Sequence, residues 1–235
     1  MSRSLGSFLS FLALLAVISA VGIWWMGSSV VTIAVDEERR TQPYYLLHLL
    51  KQSGGGAAAG AYFRKFSELA REEEGQLLWR GALAQLYTGR LADEYQDVSL
   101  FEFVRGGDLV QMLTSASYRT LTESSDPVLL GSGVAPHIQA GDQTLLVWLL
   151  EASTEEPDRS LALEGLSTTL STHEGQIIWM TPVDVVAGEV VWSHLLLLGF
   201  PTPDLAQNWT LDPATATERA LLKRFFVNEA LLRLQ

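Results

Sequence analysis

The chain has 235 residues, 48% of them hydrophobic and 18% charged, with a formal net charge of -11 and no cysteine. That composition is not that of a disordered chain or a disulfide scaffold, and it removes thiol chemistry. With 27 Asp+Glu against 16 Lys+Arg and no basic patch, it argues against a nucleic-acid partner, which would be gripped through its phosphates.

Residues 4–35 carry no charge, and residues 8–26 are almost wholly apolar, a length that crosses a bilayer core as one helix. Residues 1–29 are therefore read as a transmembrane anchor, with Phe8, Leu12 and Leu15 in the apolar run and Trp24 and Trp25 at its outer end, where amphipathic rings prefer the headgroup layer. A leader cleaved near Ile18-Ser19-Ala20 or Gly27-Ser28-Ser29 is the alternative. Arg3 before the run, and the mixed charges of residues 36–40 after it, predict a cytoplasmic N-terminus and domains outside the cytoplasm. The expected location is a bacterial inner membrane, crossed once, with the bulk of the chain periplasmic.

The soluble part is expected to open on a strand, Val30-Val31-Thr32-Ile33-Ala34-Val35. Residues 41–56 then read as an insertion, with Tyr44-Tyr45-Leu46-Leu47-His48-Leu49-Leu50 as a turn or short helix and Gly54-Gly55-Gly56 as a hinge. Tyr62, Phe63, Phe66, Leu69 and Ala70 have helical spacing. After the motif Glu74-Gly75-Gln76-Leu77-Leu78-Trp79, residues 97–104 read as a strand, Asp108 as a capping residue of a second helix, and Pro127-Val128-Leu129-Leu130 as a closing strand. Residues 131–142 form a linker. A second series follows: a strand at residues 144–150, helical spacing over residues 161–170, the motif Glu174-Gly175-Gln176-Ile177-Ile178-Trp179, a strand at residues 190–198, and Asp204 at a helix start. The chain is expected to end in a helix over residues 215–234, with no strand after it.

The two motifs stand 100 residues apart and share Glu, Gly, Gln and Trp, with aliphatic swaps between them. Asp108-Leu109-Val110-Gln111 is likewise echoed by Asp204-Leu205-Ala206-Gln207. Such self-similarity marks an internal repeat, and the order strand, helix, strand, strand, helix is the ferredoxin-like split βαβ plan. The predicted fold class is α+β: a transmembrane helix followed by two tandem ferredoxin-like units, residues 30–140 and 141–235, packed as a pseudo-dimeric α/β barrel.

The first unit, with Glu74-Gly75, a strand ending Phe101-Glu102-Phe103 and a helix carrying Ser115-Ala116-Ser117-Tyr118-Arg119-Thr120-Leu121, resembles the dimeric α/β-barrel superfamily. The nearest likeness, over residues 57–131, is a bacterial domain family of unknown function with a Gly-Glu-like turn, a strand ending Glu-Phe-Pro and a Ser-Pro-Glu-Tyr-like helix. Val104 stands here where that family has proline, and Leu113-Thr114 where it has a Trp-Tyr pair. The resemblance implies a superfamily that holds heme-binding enzymes, cofactor-free monooxygenases and many proteins of no known activity, so the fold does not choose among them.

The histidines His48, His137, His173 and His194 form no metal-binding spacing, so no metal and no cofactor are assigned. His194, in an apolar strand, could ligate heme or hold a proton if it faced the barrel interior; a buried, hydrogen-bonded histidine is the plainer reading. Glu102, between Phe101 and Phe103, faces away from both, toward solvent or into a cavity. Trp79 and Trp179 could floor a ligand pocket, although symmetrical core packing needs fewer assumptions. His173 is expected to be an exposed turn residue. In the C-terminal segment, Leu222, Phe225, Phe226 and Leu232 form an apolar face that must cover the second sheet or meet a partner.

Two functions of different kind follow. The first is a membrane-anchored, non-catalytic interaction module, an accessory or assembly subunit whose partners are the lipid bilayer and other subunits of a membrane complex. The alternative is a tethered small-molecule or heme-binding enzyme of the monooxygenase-like type.

Overall fold

The computed structural model describes residues 37–51, 55–88, 95–122, 127–137, 144–152, 160–187, 192–222 and 226–234. The anchor residues Phe8, Leu12, Leu15, Trp24 and Trp25, the expected strand at residues 30–35 and Phe225 lie outside them. Among the described residues no helix is long and apolar enough to cross a membrane.

A 3-10 turn, Glu37–Thr41, leads into β1 (Tyr44–Lys51), α1 (Gly55–Glu72), β2 (Gly75–Thr88), β3 (Tyr95–Phe103), α2 (Gly106–Thr114), α3 (Ala116–Thr122) and β4 (Pro127–Ser132). The chain continues through β5 (Thr144–Ala152), α4 (Ser160–Ser171), β6 (Gln176–Pro182), β7 (Asp184–Ala187), β8 (His194–Phe200), α5 (Pro203–Leu211), α6 (Pro213–Leu222) and β9 (Phe226–Leu234). The strands form one sheet in the order β6-β8-β5-β9-β2-β3-β1-β4-β7, with antiparallel pairing throughout. Each half contains the split βαβ order, β4-β1-β3-β2 in the first and β9-β5-β8-β6 in the second.

The halves join where the outer part of β2 pairs with β9, from Leu83↔Leu234 to Thr88↔Leu231. The opposite junction is β7 against β4. Val183 alone separates β6 from β7, so the two ends of the strand order are one nearly continuous stretch and the sheet closes into a barrel.

Four sequence expectations are overturned: Gly55 and Gly56, read as part of a hinge, open α1, Gly131, read as the start of a linker, lies within β4, and two segments change type. The segment 44–51, read as a turn or short helix in an insertion, is a strand at the centre of the first half, paired on both sides. Its apolar run lacks alternation because both faces are buried: Tyr45, Leu47 and Leu49 face the barrel, while Tyr44, Leu46 and Leu50 face the helices. The expected C-terminal helix stops at Leu222, and Phe226–Leu234 form β9, inserted between β5 and β2.

Side-chain alternation sorts the apolar residues into three cores. The barrel interior is packed by both halves, with Leu47, Leu100 and Leu130 meeting Val147, Leu149 and Leu197, among others. Outside the barrel, α1, α2 and α3 cover the first half around Phe66, Phe101 and Phe103. The helices of the second half cover Leu146, Trp148, Leu198 and Phe200. All described residues belong to one compact unit.

The repeated Glu-Gly has a local cause. Gly175 N–H donates to Leu170 O (2.9 Å) and Glu174 N–H to Ser171 O (3.2 Å), the crossed pair of a Schellman helix end. Glu174 sits there at φ 57°, and Glu74 has the same φ at the end of α1. The following glycine is required by contact: a Cβ on Gly75 would stand 2.7 Å from the Phe103 ring, and one on Gly175 would stand 2.5 Å from the Phe200 ring.

Candidate functional site

A set of polar groups faces the barrel interior at one end. Tyr45 pairs across β1 with Glu102 on β3 and with Ser132 on β4, so the three side chains share one rung and one face. Tyr45 Oη donates to Glu102 Oε1 at 3.0 Å. Burial, and then the hydrogen bond to that carboxylate, raise the Tyr45 pKa above its ordinary value, which keeps the phenol protonated as donor. The Trp179 ring meets Tyr45 edge-on, with centroids 6.3 Å apart.

A strap, residues 133–137, is fastened over β6 beside this end. Trp179 Nε1 donates to Val134 O (2.8 Å), and His137 N–H donates to Ile178 O (2.8 Å). Val134 N–H donates to Ser132 Oγ, whose hydroxyl is 2.6 Å from Thr181 Oγ1. The equivalent rung of the second half is apolar. By register, Leu145, Gly199 and Leu234 stand where Tyr45, Glu102 and Ser132 stand here. Gly81 occupies the place of Thr181, with the Trp79 ring lying against it.

Of the residues singled out in the sequence, the barrel end thus brings together Glu102 and Trp179. Glu102 is half-buried on the barrel face, while Trp179 is a core residue with its indole N–H satisfied. Trp79 is half-buried against the same barrel core, on the side of the second half's equivalent rung. His194 does not face the barrel: it begins β8 in phase with Leu196, Leu198 and Phe200, which face the helices. Its Nδ1 is 3.0 Å from Ser193 Oγ. His173 is not an exposed turn residue; its Nε2 is 2.9 Å from Asp212 Oδ2 and its side chain is 19% exposed. That contact, followed by the Ala214 N–H, lowers the Asp212 pKa. Asp108 does not cap α2 but pairs with Arg105 (2.8 Å), and the cap of α5 is Thr202, which accepts from Leu205 N–H. Leu222 is buried against the second-half sheet, so it covers that sheet instead of offering an outer face. Phe226 and Leu232 lie within β9, paired to Ala152 and Val147 of β5.

Sequence reasoning missed a second polar group, beneath α1. His48 is 1% exposed, with Nδ1 3.3 Å from Ser99 Oγ and Nε2 3.3 Å from Tyr62 Oη. Its ring centroid lies 4.4 Å from that of Phe66. Burial, then the nearby Arg80 charge, push its pKa down to about 3. Arg80 packs 3.7 Å over the Phe63 ring and forms a bidentate pair with Asp97. The signal was available as a lone histidine between apolar residues, but a segment read as a turn hid its inward direction. Among the described residues no group of three or more His, Asp or Glu is placed to hold a metal ion.

No family model matches the chain, and no curated protein matches it in sequence. Solved structures do. An anthrone oxidase-like protein is similar over 83% of this chain and 92% of its own, at 10% identity and TM-score 0.51. A variant chlorite dismutase from Candidatus Nitrospira defluvii is similar over 82% of this chain and 91% of its own, at 8% identity and TM-score 0.51. At such identities the likeness concerns the fold alone, and it agrees with the α+β, antiparallel barrel built from split βαβ halves.

Proposed function

We propose that this protein is a membrane-anchored interaction module, an accessory or assembly subunit carried on an α/β barrel whose halves, residues 30–140 and 141–235, arose by duplication. The observation that carries this reading is the barrel interior, filled by apolar side chains from both halves, which makes it a rigid scaffold. The apolar run at residues 8–26 would tether it, single-pass, with the barrel on the periplasmic face of a bacterial inner membrane. Affinity purification of the tagged full-length protein from native membranes in mild detergent tests the reading. Stoichiometric membrane-complex subunits are expected, and a bare monomer or homodimer of the chain's own mass would sink it.

A second reading, a tethered small-molecule enzyme, is favoured by one observation, the Glu102 carboxylate beside Tyr45 and Trp179 at the barrel end. The heme variant of this reading rested on His194 facing the barrel interior, and that support is gone because His194 faces the helix layer. A Soret band in protein purified from its native membrane, lost in His194→Ala, would restore it. For cofactor-free chemistry the residue to test is Glu102, through turnover of candidate substrates by Glu102→Gln protein.

A further inference from the structure

We propose that the second half binds a small oxyanion, a carboxylate or phosphate group, between α6 and the sheet formed by β5, β9 and β2. The inference starts from buried polar atoms that have no hydrogen-bond partner among the described residues: Tyr87 Oη, Thr215 Oγ1 and Arg233 Nε. Buried donors left unpaired are rare in native proteins, and each calls for a missing acceptor.

These atoms face one layer, between the second-half helices and the sheet. Arg233 on β9 pairs with Leu146, and Leu231 pairs with Trp148. Leu146, Trp148 and Leu231 lie in the core between sheet and helices, and cross-strand partners share a face, so Arg233 turns toward the helices as well. Tyr87, from the part of β2 that reaches across to β9, packs against the same core. From above, Thr215, Arg219 and Leu222 follow one stripe of α6. Thr215 is 0% exposed, Leu222 is 1% exposed, and the Arg219 guanidinium lies 5.7 Å from the centroid of the Trp148 ring.

The chemistry of the set selects the ligand. Arginine can only donate, and the hydroxyls of Tyr87 and Thr215 are free to do so. A guanidinium and two hydroxyls directed at one layer match a compact acceptor with several lone pairs, and arginine side chains favour a planar or tetrahedral oxyanion. The carboxylate nearest on α6, Glu218, is turned to α4, where it lies against Gly165.

The first half shows that these groups are not demanded by the fold. Gly131 stands at the register position of Arg233, across from Leu46 as Arg233 is across from Leu146. Ser115-Ala116-Ser117 and Arg119 recur as Thr215-Ala216-Thr217 and Arg219. In the first half the Ser115 hydroxyl is used, accepting from Tyr118 N–H at 3.1 Å. In the second, α6 begins earlier, at Pro213, and Thr215 lies inside it with no partner for its hydroxyl among the described residues.

The test uses the full-length chain in detergent, with thermal unfolding and calorimetric titration in sodium phosphate, sodium acetate and sodium chloride at matched ionic strength. Phosphate or acetate should raise the melting temperature by several degrees beyond chloride, and the stronger of the two identifies the head group. Tyr87→Phe and Thr215→Val remove only the hydroxyls. Each should melt no lower than wild type without the anion, and each should bind it about tenfold more weakly, as loss of one hydrogen bond to a charged group implies. Arg233→Met should abolish binding; if it does not fold, the hydroxyl variants carry the test. Equal shifts in all three salts, or undiminished binding by both hydroxyl variants, would overturn the proposal.

Discussion

The buried imidazole of His48 makes folding sensitive to acid. In the folded protein its pKa is about 3, against an ordinary 6.5. Between those values the unfolded chain takes up a proton that the folded chain refuses. The stability is therefore fully present above pH 6.5 and falls as pH drops toward 3, with a slope approaching about 1.4 kcal/mol per pH unit. Urea unfolding at pH 7 and pH 5 checks this: wild type should lose clearly more stability across that interval than His48→Gln, which keeps hydrogen-bonding groups but cannot titrate there. Equal losses would show that His48 does not carry the acid sensitivity. At the barrel end a smaller effect is expected. Tyr45→Phe removes the hydroxyl that donates to the half-buried Glu102 and should cost about 0.5–1.5 kcal/mol in chemical denaturation. Glu102 could be placed on the face opposite Phe101 and Phe103 by counting along the strand. That the face was the barrel interior, with Tyr45 beside it, could not be read, because residue 45 comes from a segment whose strand character was hidden.

At the scale of elements, the Glu-Gly motif gives opposite predictions for neighbouring residues. Glu174 occupies the left-handed region at φ 57°, where a side chain costs about 1–2 kcal/mol and glycine costs little. Glu174→Gly should therefore stabilise the protein by about 1 kcal/mol. Gly175→Ala should destabilise it by about 1–3 kcal/mol, because the new methyl would overlap the buried Phe200 ring. Thermal melts of the two variants decide the matter; melts shifted in the same direction would refute the helix-end account. The repeat of this motif at an offset of 100 was the most legible feature of the chain, since it records a helix end, a tight contact and a strand start in six residues. The strands β1 and β9 were the least legible. In β1 both faces are buried, so the period-2 signal that marks a half-exposed strand is missing. In β9 the Leu-rich run also continues directly from α6, which made one helix of the two elements.

For the whole molecule, the decisive feature is that the barrel core is shared. Val147 of β5 is 0% exposed and lies in the same cluster as Leu47, Leu100 and Leu130 of the first half. Neither half has its inner sheet face covered without the other, and β9 of the second half is hydrogen-bonded to β2 of the first. Two split βαβ units were readable from the repeat, and a pseudo-dimer followed from the need to cover each sheet. The barrel was expected on the same grounds, but β7, the short strand that completes it, was not, because residues 184–187 gave no separate signal. Shared packing predicts one cooperative unfolding step for residues 37–234, not two. Val147→Asp, which would bury a carboxylate in the common interior, should cost more than about 4 kcal/mol and abolish the structure of both halves together. The measurement is the melting of the wild type followed by far-ultraviolet circular dichroism and by tryptophan fluorescence, with Trp79 reporting from the first half and Trp148, Trp179 and Trp209 from the second. Coincident curves are expected. A first transition that leaves one half intact would show that each half holds its own core, and the closed barrel would then contribute nothing to cooperativity.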